Sequence, residues 1–182
     1  MMKFRGVALG LVLVSTSALG AVAASPAPAA PSPGAQKCIG GIKNIQSGMQ
    51  KLKSAVEAFD SLPSALKIQG VSSDLSKTVD SANSACKVAG QLDEMSSAAL
   101  VTAAAELPGD VEASLSALDH KASAFKSLGL SGIVKSTVGD LQKSTDEFTG
   151  TLGSIVTEAD KPAVDAAAAQ IDRDFTKTLG TL

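Results

Sequence analysis

Any acid–base or triad chemistry near neutral pH would have to run through His120, the only histidine of the chain. Its neighbour Asp119 lies about 100° away around a helix, so the carboxylate cannot orient the imidazole as a triad requires. The carboxylate pairs Asp93 with Glu94, Asp146 with Glu147, and Asp172 with Asp174 could in principle share acid and base roles. Each pair falls on the polar side of an apolar stripe, where carboxylates are ordinarily solvated, and Arg173 between the last two offers charge balance. Gly129-Leu130-Ser131-Gly132 has the wrong spacing for a nucleophile elbow. There is no H-E-x-x-H, no phosphate-binding glycine loop and no cluster of metal ligands. The expectation is a protein without catalytic residues, metal site or cofactor.

Cys38 and Cys86 are the remaining reactive pair. If one helix ends near Asp60 and the next begins near Pro63 and runs back, Cys38 lies about 33 Å and Cys86 about 34 Å below the shared end at 1.5 Å per residue. The levels agree, so a Cys38–Cys86 disulfide is expected, closing a loop that would contribute about 4 kcal/mol. The alternative is that Cys86 is a small buried residue on its own stripe.

The elements that must hold these residues are helices, because apolar residues recur at intervals of three and four and not two. Ile39, Ile42, Ile45, Met49, Leu52, Val56 and Phe59 form the first stripe. Ser61 and Pro63 start a second, from Ala65 through Ile68, Leu75, Val79 and Cys86, with Gly70 as a weak point inside it and Gly90 at its end. The third runs from Leu92 past Pro108-Gly109 to Leu128, and Pro108 predicts a sharp kink or a tight helix-to-helix turn within it. Gly129 and Gly132 bracket the connection to a fourth stripe, Val134 to Ile155. Asp160 and Pro162 open a fifth, which ends near Leu179. Short connections between long helices predict an all-α, up-and-down antiparallel bundle of about five amphipathic helices.

Residues 1–24 read as a secretory signal peptide: Lys3 and Arg5, an apolar run from Val7 to Val14, then small residues to Ala24. A single-pass anchor is the rival, but the strongly apolar centre is far shorter than the roughly 20 residues that span a bilayer. Residues 25–35 read as a semi-rigid Pro/Ala linker that could carry O-linked sugar, and residues 36–182 as the helical domain. Loss of Lys3 and Arg5 with the signal shifts the formal net charge from -2 to -4. With Arg173 as its one arginine and no basic run, that domain offers little to a nucleic acid.

Aromatic residues make up only 3% of the chain, so its core must be built from alanine, leucine, isoleucine and valine around a few phenylalanines. Such a core is either closely packed and dry, or thin enough for the helices to part around an apolar ligand. In the second case the candidate lining is Phe59, Met95, Leu118, Phe125, Leu141, Phe148 and Phe175. Burying an acyl chain would yield about 0.8 kcal/mol per CH₂.

The ordered pattern resembles the fungal hydrophobic surface-binding protein A family, which includes cell-wall galactomannoproteins. It combines the I-x-x-I-x-x-x-M-x-x-L-x-x-x-V-x-x-F stripe, Leu118-Asp119-His120-Lys121 with Phe125 before a glycine turn, and Ile171-Asp172 with Phe175. The resemblance covers Gln36 to Leu182; the two cysteines, the high alanine and serine content and Pro108 depart from it. It implies a secreted or cell-wall helical protein that adsorbs to hydrophobic surfaces, binds fatty acids in some relatives, and recruits a polyester-degrading esterase. Two rivals stand beside that reading. One is a secreted helical inhibitor of an extracellular hydrolase, whose families look like four-cysteine proteins. The other is a structural wall protein with no ligand.

Overall fold

A computed structural model describes residues 30–182, and the signal and most of the linker read from the sequence lie outside the described residues. Six helices follow one another: α1 (Pro33–Glu57), α2 (Leu62–Ala89), α3 (Glu94–Ala104), α4 (Leu107–Ser127), α5 (Ser131–Ile155) and α6 (Lys161–Thr181). No strand occurs among the described residues.

Helix α1 begins inside the stretch read as linker, so residues 33–35 belong to the domain. Pro33 suits a first helical position because its missing N–H would have had no intrahelical partner. The Ser32 hydroxyl accepts from the Ala35 N–H, and Ala35 is fully buried. Helix α2 passes through Gly70 without a break and ends at Gly90, whose φ of 64° favours glycine.

The third stripe divides at Ala105 and Glu106, which gives six helices where the periodicity suggested about five. Both residues keep helical backbone angles, and Pro108 takes the first turn of α4, where proline is tolerated. The chain keeps its direction through this bend. The Ser32 N–H donates to Ser96 at the start of α3, Gln46 reaches Glu106, Ser114 donates to the Met49 carbonyl, and Lys121 donates to the Phe59 carbonyl. Both numbers of each pair rise together, so α3 and α4 form one bent rod parallel to α1.

Five rods therefore run up, down, up, down, up. They close into a ring in the order α1, α2, α5, α6, α4, with α3 extending the α4 rod beside α1. Rods consecutive in sequence run antiparallel, whereas α1 and α4, α2 and α5, and α4 and α6 are parallel neighbours. The α2–α5 alignment follows from Gln91 and Leu92, which bond to the carbonyls of Ser154 and Ile155 where both helices end.

The α1–α2 contact is the closest in the bundle. Gly34, Gly41 and Gly48 recur every seven residues and face Ala89, Ala82 and Leu75, which recur every seven in the opposite direction. Cys38 and Cys86 lie in the same register, Cα atoms 4.6 Å apart, and are joined by a disulfide. The core they enclose is continuous, with Phe125, Phe148 and Phe175 its largest fully buried side chains.

Candidate functional site: an apolar cavity and its mouth

Near the end of the bundle opposite the disulfide, α2 and α5 diverge over a small apolar cavity. Its floor is Leu52 of α1 with Leu118 and Phe125 of α4. One wall is Ala65, Ile68 and Ser72 of α2; the other is Leu130, Val134, Val138 and Leu141, from the start of α5 onward. Gln69, Ser72 and Thr137 are its polar groups, and the Thr137 hydroxyl is taken by the Ile133 carbonyl.

The cavity measures about 30 Å³. That holds roughly one water and is far below the 300 Å³ or more of a ligand pocket. In this closed arrangement nothing larger enters, so a chain-like ligand requires α2 and α5 to part.

The turns that border the cavity are apolar on their outer side as well. Leu62 and Leu66 of the first turns of α2, Leu128 between α4 and α5, and Ile133 of α5 are all exposed. Phe59 closes the cavity from behind: its ring lies 4.5 Å from that of Phe125, tilted by 42°. The bond from Lys121 Nζ to the Phe59 carbonyl, 3.0 Å, ties the α1–α2 loop to α4.

Of the residues named from the sequence as lining, Leu118, Phe125 and Leu141 are brought together here, with Phe59 immediately behind. Phe148 sits against a separate void of about 10 Å³ between Met49, Val111 and Ile171. Phe175 is fully buried in the core away from both. Met95 is elsewhere: it is 40% exposed on α3. The first turn of α3 is oriented by hydroxyls, since Ser96 Oγ accepts from the Ser32 N–H while Ser97 Oγ bonds to Asp160 and accepts from the Thr157 N–H. With Ser96, Ser97, Leu100 and Ala104 turned inward, Met95 must face out.

Sequence periodicity misses Ser72 and Thr137 as wall residues, because polar side chains carry no apolar signal, and it misses Leu130 because that residue lies in the glycine turn between two stripes. The short run from Leu128 to Ile133, apolar on both sides of a glycine turn, is the one sequence feature that could have flagged the mouth.

Of the carboxylates with displaced titration, Asp93 and Asp146 lie away from this cavity, and Asp60 follows Phe59 in the α1–α2 loop without lining it. Hydrogen bonds from the Ser61 and Ser64 hydroxyls hold Asp60 below the usual range, and the Ser96 N–H and hydroxyl do so for Asp93. Partial burial, with the neighbouring Asp172, pushes Asp146 up. His120 is exposed, and no cluster of metal-ligating side chains occurs among the described residues. No helix among them is long and apolar enough to cross a membrane.

Residues 35–154 match the model of a single family, hydrophobic surface binding protein A. The chain belongs to that family. Its bundle is also similar to solved structures. AFMP4P in complex with palmitic acid superposes with a TM-score of 0.79 at 26% identity, over 81% of this chain and 98% of that one. Ligand binding domain 1 of the Penicillium marneffei MP1 protein, complexed with arachidonic acids, gives 0.77 at 13% identity, over 81% of this chain and 97% of that one. Ligand binding domain 2 of the same protein gives 0.75 at 14% identity, over 85% and 96%. At those last two identities the likeness is one of fold. No curated protein matches this hydrophobic surface binding protein A family member in sequence.

Proposed function

We propose that this protein is a secreted carrier of long-chain fatty acids that takes the acyl chain between α2 and α5. The observation that carries the reading is the apolar cavity over Leu118 and Phe125, walled by small and branched side chains of two helices, α2 and α5, that are not covalently tied to each other. AFMP4P, the most similar of these structures in sequence, holds palmitic acid in a bundle that superposes over most of this chain. Secretion is supported by the order of charged, apolar and small residues in 1–24, and by a disulfide, a bond that persists in oxidising compartments.

The energetics favour opening. Sixteen carbons buried at about 0.8 kcal/mol per CH₂ supply on the order of 10 kcal/mol, against the few kcal/mol that ordinarily separate two states of a domain. The α1–α2 pair, sealed by glycines and the disulfide, is the fixed frame; α5 is the rod with freedom to move. Gln69 and Ser72 are the polar groups at hand for a carboxyl head.

Displacement of a fluorescent fatty acid tests the reading. Saturable binding that strengthens with chain length is expected, and Ala65→Trp, which fills the gap at the mouth, should weaken it at least tenfold, while Ala166→Trp on the exposed side of α6 leaves it unchanged. Absence of saturable binding by the folded protein, or equal effects of the two tryptophans, overturns the proposal.

A further inference from the structure

Exposed large apolar residues are ordinarily scattered over a monomer. Here Leu62, Leu66, Leu128 and Ile133, exposed by 56%, 71%, 42% and 53%, gather in and beside the two loops that meet at the cavity mouth. Those loops belong to one end of the molecule, since the Phe59–Phe125 ring contact and the Lys121 bond to the Phe59 carbonyl join them.

The charge at this end opposes that of the whole. Residues 60–73 and 119–139 contain four lysines, Lys67, Lys121, Lys126 and Lys135, against two carboxylates, Asp60 and Asp119, in a chain of net charge -2. Lys67, Lys126 and Lys135 are exposed. At the opposite end the exposed Met95 adjoins Asp93 and Glu94, which a negative interface would repel, and the exposed Val88 beside Lys87 is a single apolar side chain.

We infer that the mouth end docks on an anionic lipid surface. Leu62, Leu66, Leu128 and Ile133 enter the interface, the lysines lie on the acidic headgroups, and the acyl chain passes directly between surface and cavity. Apolar side chains with flanking lysines are what an interfacial anchor needs. A second copy of this chain fits the patch less well, because a two-fold contact would set lysines against lysines. The transfer step rests on the fatty-acid reading above; the docking step does not.

Sedimentation of the secreted protein with vesicles separates the two. Binding is expected to vesicles of phosphatidylcholine mixed with phosphatidylglycerol, weakly or not at all to phosphatidylcholine alone, and to fall as salt screens the lysines. Leu62→Ser/Leu66→Ser and Lys67→Glu/Lys126→Glu/Lys135→Glu should each reduce it at least tenfold, with fatty-acid affinity in solution kept, while Val88→Ser changes nothing. Transfer of a fluorescent fatty acid should quicken as mixed vesicles are added, and the lysine variant should lose that dependence. The inference is overturned if the protein ignores mixed vesicles, if the leucine variant sediments like the parent, or if the patch proves to hold a dimer that Leu62→Ser/Leu66→Ser dissolves. Vesicle binding without any fatty-acid binding would instead uphold docking and overturn the carrier reading.

Discussion

A Cβ built on Gly41 would stand 2.7 Å from the Cβ of Ala82 and 2.9 Å from its Cα, whereas a Cβ on the adjacent Gly40 would meet nothing within 4 Å. Two neighbouring glycines in one helix therefore carry opposite predictions. Gly40→Ala should stabilise by up to about 1 kcal/mol through helix propensity. Gly41→Ala gains the same propensity but forces two backbones apart, at about 1–3 kcal/mol, so its melting temperature should fall. Ala82→Gly in the same chain removes the nearer contact but not the one to the backbone, so it should cost less in the Gly41→Ala background than in the parent; equal costs would mean that the seam is not the cause.

Reduction of the Cys38–Cys86 bond, whose ends are 48 positions apart in sequence, should cost about 4 kcal/mol in denaturant midpoint analysis. The α1–α2 seam persists without it through the glycine contacts. Cys38→Ser/Cys86→Ser is thus expected to fold at 25 °C with helical circular dichroism intact and a lower melting temperature. Loss of all helical signal would show that the seam depends on the bond.

Ser97 clips the start of α3 to the α5–α6 connection, bonding Asp160 and the Thr157 N–H from a fully buried position. Ser97→Ala leaves both partners short of a bond and should destabilise by about 1–3 kcal/mol. Met95→Ser, one turn face away, should be close to neutral. Comparable losses in thermal melts would contradict the inward orientation of the serines.

Two carboxylates should move stability with pH in opposite senses. Asp93 is held below its ordinary range by Ser96, so its contribution is complete above the unfolded value and disappears as pH falls through the folded one. The melting gap between the protein and Asp93→Ala should therefore close in acid. Asp146 is raised by partial burial and by Asp172, so its ionised form is a penalty that is full above the raised value and gone below the unfolded one. Asp146→Asn should raise the melting temperature at neutral pH and lose that advantage in acid. A pH-independent gap in either series would contradict the assigned cause.

Phe125 and Phe148 are equally buried, yet only Phe125 borders the cavity at the mouth. Phe125→Leu should weaken fatty-acid binding several-fold more than Phe148→Leu, although both lower stability. Displacement titrations on variants matched for folded fraction would distinguish them, and equal weakening would move the site deeper into the bundle.

Periodicity of three and four is a local property, and it identified the apolar stripes and the inward phenylalanines, while the turn at Ser61 and Pro63 with the helix rise set the levels of Cys38 and Cys86. Pro108 could be read either as a kink or as a turn, because its ring forbids one hydrogen bond without saying where the next helix points. The bend keeps its direction because the α3–α4 rod packs along α1, where Ser114 and Lys121 find the Met49 and Phe59 carbonyls. Pro33 looked like linker for a related reason: proline breaks a helix in its interior and opens one at its start, and Ser32 decides which.

The residues by themselves determined that this is a helical protein with an apolar core, because each stripe needs only its own turn-by-turn repeat to exist. Tertiary structure decided which stripes face one another, and with it that Phe125 and Leu141 share a cavity, that Phe148 lies beside another, and that Met95 faces outward. Those outcomes depend on helix rotation and lateral order, which are fixed by glycine-to-alanine contacts and serine hydroxyls between rods distant in sequence. No single stripe carries that information.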